Sequence, residues 1–470
     1  MSEKFKVVIF GTGQFYKHRK SLISNEIETV GFIDNNEDLS GTEIDGVKIY
    51  LPQQIHNINY DAVLLMSIRT NEMKQQLIEL GVESNKIWKW ELFNASFGER
   101  MIHIYRGTKV LNSKLKILMI SNIVGYDGAS MAAVYAVEVL KKRGYDVTLA
   151  TLGGDGKFIH EINKRGIEIV VCSTLNFISD YEKKWINEYD MVIVNTFVML
   201  PCVCSVSKIC PTLWWLHESS QWYSGKYKNV RMDLEEYAEK IDLSNVSICS
   251  VSKKAKENFN SCYAASVEHI LPFGIPDEND AKEYDFEKKM IFALIGNVGE
   301  NKAQVEFINA IKLLDASDRE ECEFWLIGNI GEDIYSKKVY GLASGEESIK
   351  ILGKKNRKEL NTLFEDIDVV VCPSFEETMS IVVVEGMMNR KICVATNTTG
   401  ISDYIKDGEN GFVCFPGDVQ ELCEKIKWII KNKENMSKIR ENARKTYKDN
   451  FTLDKFGCRL EEVIEKCMEK

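Results

Sequence analysis

The sequence predicts an α/β protein: two doubly wound parallel sheets facing a cleft, preceded by a smaller sheet of the same kind. Three observations predict it. The chain has 470 residues, long for one domain and natural for two or three. Short apolar runs alternate with helix-patterned stretches, as parallel sheets with crossover helices require. That alternation restarts twice, at Lys116-Ile117-Leu118-Met119-Ile120 and at Met290-Ile291-Phe292-Ala293-Leu294-Ile295-Gly296. The expected divisions are 1–112, 113–280, 281–447 and a C-terminal helix over 448–470 packing back across the two larger units.

Composition narrows the class. With 44% hydrophobic and 28% charged residues, the chain has apolar material for several cores. A net charge of −10 argues against a nucleic-acid binder, which wants a basic footprint. The charged start Met1-Ser2-Glu3-Lys4 leads straight into a strand, unlike a signal peptide. No apolar run approaches the roughly 20 residues that span a bilayer. A cytoplasmic protein is expected. The Lys- and Arg-rich stretch 425–448 reads as one helical stretch with a solvated face, which could also serve as a peripheral contact with anionic lipid at the inner membrane face. A homo-oligomer stays open. The 13 cysteines are an odd number in apolar patterns and are expected reduced. Cys202, Cys204 and Cys210 lie close in sequence without a fourth ligand at matching spacing, so no metal is expected.

In the first unit, Lys6-Val7-Val8-Ile9-Phe10 is a buried strand ending in Gly11-Thr12-Gly13. A second strand, Glu28 to Ile33, ends in Asp34-Asn35-Asn36, and Ala62 to Met66 is a third. This is a Rossmann-type arrangement, and glycines before an acid at the second strand end fit a dinucleotide fingerprint. Tyr16 stands where the third glycine belongs and should disturb close packing of helix on strand. Residues 97–113, with Arg100, Arg106, Lys109 and Lys114 in or beside them, read as a basic linker.

In the second unit, the strand at Lys116 leads into Gly125-Tyr126-Asp127-Gly128-Ala129-Ser130 and a helix to about Arg143, stopped by Gly144. A glycine-rich loop opening a helix lets a ligand approach the backbone. Further strands are Val147 to Ala150, Met191 to Val194 and Leu213 to Leu216, the last running into His217-Glu218-Ser219. A histidine at the carboxyl end of a parallel strand sits where open α/β sheets bind ligands.

In the third unit, Asn301-Lys302-Ala303-Gln304 starts a helix, and strands follow at Glu323 to Gly328 and Ile349 to Gly353. The most informative stretch is 369–411. A buried strand, Val369-Val370-Val371-Cys372, is stopped by Pro373. The turn Ser374-Phe375-Glu376-Glu377 and an apolar helix from Thr378 follow, then strand Ile392 to Thr396 and the turn Gly408-Glu409-Asn410-Gly411. The helix start, with N–H groups of Thr378, Met379, Ser380 and Ile381 unpaired, suits a phosphate. Glu377 at its mouth and Glu385 two turns deeper suit hydroxyls. A diphosphate between two polyols is a nucleotide sugar.

Glu377-x7-Glu385, with the strand and the Gly-x-Asn-Gly-Phe turn at 408–412, resembles the donor site of retaining family-4 glycosyltransferases. The resemblance covers about 115–447 and implies the GT-B fold, with 113–280 as acceptor half and 281–447 as donor half. It implies that Glu377 touches the transferred sugar, Glu385 holds the ribose diol and His217 points at the donor sugar. The loop at Gly128 would face the donor diphosphate and acceptor across the cleft, and Lys302 would meet the phosphates. The donor-binding set is completed by Gly296, Asn297 and Gly353. Asn297 departs from the family, which commonly carries Arg there, and Phe273-Gly274 replaces the usual Asn-Gly at the crossing between halves. Lys354, Lys355 and Arg357 are the candidate substitutes for the missing cation. The first unit, through Gly31-Phe32-Ile33-Asp34-Asn35, resembles small sugar-nucleotide-binding-type modules that precede bacterial sugar acyltransferases.

The expected activity is therefore retaining, metal-independent hexosyl transfer, with no cofactor and a UDP-sugar favoured as donor. The acceptor would be a hydroxyl of a surface glycan, its lipid-linked precursor or a glycoprotein. The rivals are a sugar-nucleotide 2-epimerase of the same architecture, a nicotinamide-dependent oxidoreductase resting on Gly11 and Gly13, and a weakly active partner of another transferase.

Overall fold

The computed structural model describes residues 4–17, 19–23, 27–67, 69–90, 102–176, 178, 180–223, 241–278 and 288–470. Three sheets organise them. The first has six strands in the order Glu43–Ile44, Val47–Tyr50, Ile27–Ile33, Phe5–Phe10, Ala62–Leu65 and Ile87–Lys89. The second has eight: His269–Ile270, Val246–Ser250, Thr212–Leu216, Met191–Asn195, Lys116–Val124, Asp146–Gly154, Glu168–Cys172 and Ile102–Tyr105. The third has six: Ile349–Gly353, Cys322–Ile327, Met290–Ile295, Val369–Cys372, Ile392–Thr396 and Phe412–Cys414. Pairing is parallel throughout except at two edges, Glu43–Ile44 with Val47–Tyr50 and Ile102–Tyr105 with Glu168–Cys172.

The central strands of the second and third sheets are covered on two faces, so they are apolar without alternation. All five residues of Met191–Asn195 and all four of Val369–Cys372 are buried. One apolar cluster runs from Ile117 and Leu149 through Trp215, Phe456 and Leu460 to Val370, Met387 and Ala395, joining the two larger sheets. The helix Leu453–Met468 lies on the helix Gly128–Lys142. Its Phe456 ring stacks on Trp215 at 5.6 Å, and Glu461 accepts from Lys114 Nζ at 2.9 Å and from Arg143 Nη1 at 2.5 Å. The C-terminal helix, which follows the third sheet in the chain, thus ties that unit to the second sheet.

Four local readings are corrected. The segment read as a linker carries the strand Ile102–Tyr105, and Lys109 Nζ reaches Glu168 Oε1 at 2.9 Å; no periodicity announces so short an edge strand. The stretch 425–448 belongs to two helices, Val419–Lys431 and Ser437–Asn450. The apolar helix of the third unit starts at Ile381, not Thr378. The helix expected from Asn301 begins at Gln304, after a one-turn 3-10 segment Glu300–Lys302 and Ala303 at φ 56°.

Tyr16 does not disturb the first sheet. Its ring is buried edge-on to Phe32, with centroids 5.1 Å apart, and its hydroxyl lies 3.3 Å from Asp45 Oδ2. Asp34, the acid of the fingerprint, accepts from Thr12 N at 3.0 Å and Thr12 Oγ1 at 2.7 Å. The neighbouring strand end already uses that carboxylate. Among the described residues, no helix is long and apolar enough to cross a membrane.

Candidate active site

A cleft of about 1920 Å³ lies between the units of the second and third sheets, with Gly128, Gly296, Asn297, Lys354, Arg357 and Glu385 among its walls. A smaller hollow of about 380 Å³ is bordered by Asp127, His217, Trp222, Asn301, Glu377 and Thr378. Between these two spaces lies the unit singled out from the sequence.

Pro373 ends the strand Val369–Cys372, and the chain turns into the helix Ile381–Met388. Ser380 is the N-cap and makes no side-chain cap bond, so the first-turn N–H groups lack a partner from that cap. Gly386 brings the helix onto the sheet: an added Cβ would lie 2.9 Å from Val370 Cγ2 and from Cys393 Sγ. Thr378 and Met379 precede the helix, and Thr378 Oγ1 donates to the His217 carbonyl at 2.7 Å.

Glu377 sits at the helix mouth with its carboxylate against the Lys302 ammonium. The Cys372 thiol donates to Glu377 Oε2 at 3.0 Å; burial, aided by that carboxylate, pushes the thiol up to about 12. Burial is the largest single influence on Lys302 and lowers its pKa, but the Glu377 charge, the Cys372 thiol and the hydrogen bond to Glu377 together outweigh it, and the ammonium is held above its ordinary value. The side chain of Lys302 packs along Gly296, whose ideal Cβ position lies 3.5 Å from Lys302 Cε. Asn297 Oδ1 accepts from Asn329 N at 3.3 Å, so this side chain joins two strand-end loops. Gly353, at φ 66°, turns the chain through the left-handed region toward Lys354 and Lys355.

Glu385 is buried and paired with Arg357 Nη1, while Arg357 Nη2 lies 3.6 Å from Glu278. Burial raises the Glu385 pKa, and the Arg357 charge opposes that rise. On the acceptor side, Gly128 opens the helix Gly128–Lys142 next to its N-cap Asp127, which accepts from Ser130 N at 3.0 Å. His217 follows the strand Thr212–Leu216, its ring 4.5 Å from that of Trp215. Its Nε2 has no hydrogen-bond partner, and burial lowers its pKa to about 3. Neighbouring Glu218 accepts from Phe197 N at 2.6 Å and His217 N at 2.8 Å, and burial raises its pKa to about 7.

Of the residues predicted from sequence, the geometry brings Glu377, Lys302, Thr378 and His217 together. Glu385 joins Gly128, Gly296 and Asn297 in the large cleft, with Ile381 on its wall. Met379 is buried in the apolar cluster joining the halves, and Gly353 positions the loop behind Arg357. Sequence reasoning missed three roles. Arg357, expected only as a candidate for the missing phosphate cation, pairs with Glu385. Asn301 Nδ2 donates to the Glu376 carbonyl at 2.7 Å and its Oδ1 accepts from Glu376 N at 3.1 Å. Glu376, one residue too early for the Glu377-x7-Glu385 spacing, accepts from Ser220 N at 2.7 Å and Asn258 Nδ2 at 2.6 Å. Two adjacent glutamates after a strand were the available signal, since one spacing motif uses only one of them.

Comparison with known proteins agrees with this layout. Residues 276–446 match the model described as glycosyl transferases group 1, and 112–272 match glycosyl-transferase family 4. Residues 3–88 match a model described as C2185-like, N-terminal. An uncharacterized glycosyltransferase of Methanocaldococcus jannaschii is 29% identical over 155 residues, 33% of this chain and 43% of that protein. One of Haemophilus influenzae is 21% identical over 362 residues, 74% of this chain and 97% of that protein. The chain spans less than half the length of the first curated relatives it matches. Among solved structures, Anabaena HepE in complex with UDP superposes with a TM-score of 0.63 at 19% identity, covering 75% of this chain and 100% of HepE.

Proposed function

The chain belongs, over residues 112–446, to the family-4 glycosyltransferases of GT-B fold, and on that premise we propose that it transfers a hexose from a nucleoside-diphosphate sugar with retention of configuration. The observation that carries this reading is the Lys302–Glu377 pair at the mouth of the helix Ile381–Met388. A cation and a helix N-terminus converge where a diphosphate would leave, and an acceptor of hydroxyl hydrogen bonds stands beside them. Glu385 then takes the ribose diol, and His217, neutral and half-buried, faces the sugar from the acceptor half. Arg357, Lys354 and Lys355 share the phosphate charge that Asn297 leaves unmet.

In this reading the acceptor hydroxyl attacks from the face the diphosphate leaves, and the departing phosphate oxygen takes its proton. No dedicated protein base is needed, and the charge is met by Lys302 and backbone N–H groups in a metal-independent site. The Anabaena structures contain UDP and UDP-glucose, which favours a UDP-sugar as donor. The acceptor is a hydroxyl of a surface glycan, a lipid-linked precursor or a glycoprotein, met at the inner face of the membrane. The N-terminal module is accessory, because its acid Asp34 is occupied by Thr12.

The test is a melting-shift screen of nucleotide sugars on the full chain. A ligand at about 100 times its dissociation constant should add about 2.7 kcal/mol of stability. Anomeric analysis of the product by NMR then tests retention. No shift with any nucleoside-diphosphate sugar would overturn the reading.

A further inference from the structure

Glu377 and Glu376 are adjacent and face opposite ways. Glu377 turns into the donor half, to Lys302. The Glu376 carboxylate leaves the donor half altogether. One oxygen accepts from Ser220 N at 2.7 Å and Asn258 Nδ2 at 2.6 Å, and the other from Ser220 Oγ. Both partners belong to the acceptor half: Ser220 opens the helix Ser220–Tyr223, three residues beyond His217, and Asn258 lies on Lys253–Asn260.

The backbone under Glu376 is fixed on its own side by Asn301. Besides the two Asn301 side-chain bonds to the Glu376 peptide groups, Phe375 N donates to the Asn301 carbonyl at 2.9 Å. Asn301 is the residue before Lys302. On the far side of Glu377, Thr378 Oγ1 holds the His217 carbonyl. Gly400 lets the two halves close there. Its N–H donates to the Glu377 carbonyl at 2.8 Å, and an added Cβ would lie 1.9 Å from Thr378 O and 2.7 Å from Ser252 Cβ. Glu376 is therefore the charged member of a short relay joining Lys302, Glu377 and His217.

We propose that Glu376 is a positioning residue: a latch that sets the acceptor half in the register where His217 faces Glu377 and Lys302. This rests on the reading of that site given above. Charged hydrogen bonds between partly buried groups hold such a register, and displacing a reacting group by about 1 Å costs on the order of 10²-fold in rate.

The experiment compares full-chain Glu376→Ala, Glu376→Gln, Asn258→Ala and the double alanine variant, by steady-state transfer and by solution scattering without ligand. Glu376→Ala should lose about 10²-fold in kcat, with a smaller change in donor KM, and show a larger radius of gyration. Glu376→Gln should stay within about tenfold of wild type, because its amide oxygen can accept from Ser220 N and Asn258 while its NH2 donates to Ser220 Oγ. Asn258→Ala should lose less, and its loss should not add to that of Glu376→Ala. Should Glu376→Ala not fold, Asn258→Asp, which sets a second carboxylate against the first, carries the same expectation. Wild-type kcat in the alanine variant overturns the latch, as does a radius of gyration in that variant equal to that of wild type. If wild type turns over no nucleotide sugar, the functional reading fails and scattering alone decides: an unchanged radius in Glu376→Ala then overturns the latch.

Discussion

Arg357 is ion-paired with Glu385, the buried carboxylate at the floor of the large cleft. The group proposed to hold ribose is thus already charge-compensated. Replacing it by Glu385→Gln keeps the shape and replaces charged acceptance by a neutral amide. Hydrogen bonds to charged groups are worth about 1.5–3 kcal/mol, so donor affinity should fall tens-fold, measured by titration calorimetry.

Arg357→Ala should act through pH. Burial already raises the Glu385 pKa, and Arg357 is the main force holding it down. Without that cation the carboxyl holds its proton to higher pH. A carboxyl whose folded pKa lies above its unfolded value destabilises most above the folded pKa, and the penalty is relieved as pH falls through it. The variant should therefore melt nearest to wild type in mild acid and furthest in mild alkali. Its donor affinity should show an acid limb that wild type lacks at the same pH. Parallel pH profiles for the two proteins would count against the assignment.

Lys302 carries the rate prediction. In the proposed reaction, with Asn at 297, the leaving diphosphate would rely on Lys302 more than it would beside an Arg. Losing one preorganised donor typically costs about 10²–10³ in rate, and Lys302→Ala should lose at least that in kcat, with less change in donor binding. Adding Asn297→Arg should recover part of it, although Asn297 Oδ1 gives up the Asn329 N–H bond. Unchanged turnover in Lys302→Ala would move the phosphates toward Lys354 and Lys355.

His217 and Glu218 make opposite contributions to the pH dependence of stability. Burial lowers the histidine from 6.5 to about 3 and raises the glutamate from 4.5 to about 7. Between pH 4.5 and 6.5 the folded state holds the Glu218 proton that the unfolded state releases. Over the same range the unfolded state holds the His217 proton that the folded state refuses. The two slopes cancel, each at most about 1.4 kcal/mol per pH unit. Glu218→Gln should therefore gain stability with rising pH across this window, and His217→Gln should lose it. Denaturant melts at several pH values read both signs, and equal slopes in the two variants would refute the burial argument.

Much of the frame was legible because buried parallel strands leave an apolar signature that local chemistry does not disturb. Val369–Cys372, Met290–Ile295 and Met191–Asn195 are such strands, and the placement of Glu377, Lys302 and Glu385 followed from where these strands end. The helix start was misread because Thr378 and Met379 carry nothing that forbids helix; Thr378 is drawn out of it by the His217 carbonyl, a partner in the other half. Arg357 looked like part of a solvated loop because its partner Glu385 lies 28 positions away. Glu376 sits one residue too early for the Glu377-x7-Glu385 spacing, and nothing local marks its other role, because its donors Ser220 and Asn258 lie 156 and 118 positions away. A polar side chain whose partner is set by tertiary packing leaves no local pattern.

The edge strand Ile102–Tyr105 sets where the N-terminal module can be removed. Deleting 1–101 leaves the eight-stranded sheet whole, with Lys109 and Arg106 still facing Glu168. Deleting 1–112 removes that strand, bares the edge of Glu168–Cys172 and leaves the Glu168 carboxylate, only 7% exposed, without either cation. Breaking a buried pair by taking one partner is strongly destabilising, on the order of 3–5 kcal/mol when both charges are buried. Lys109 is half exposed, so the smaller part of that range or less is expected here. An unpaired strand edge is also a template for association. The shorter deletion should keep the wild-type donor-induced melting shift and remain monodisperse in light scattering. The longer one should melt several degrees lower and self-associate. Equal behaviour of the two truncations would mean that the strand contributes nothing to the acceptor half. Loss of donor binding by a folded 102–470 chain would instead place part of the donor site in the N-terminal module.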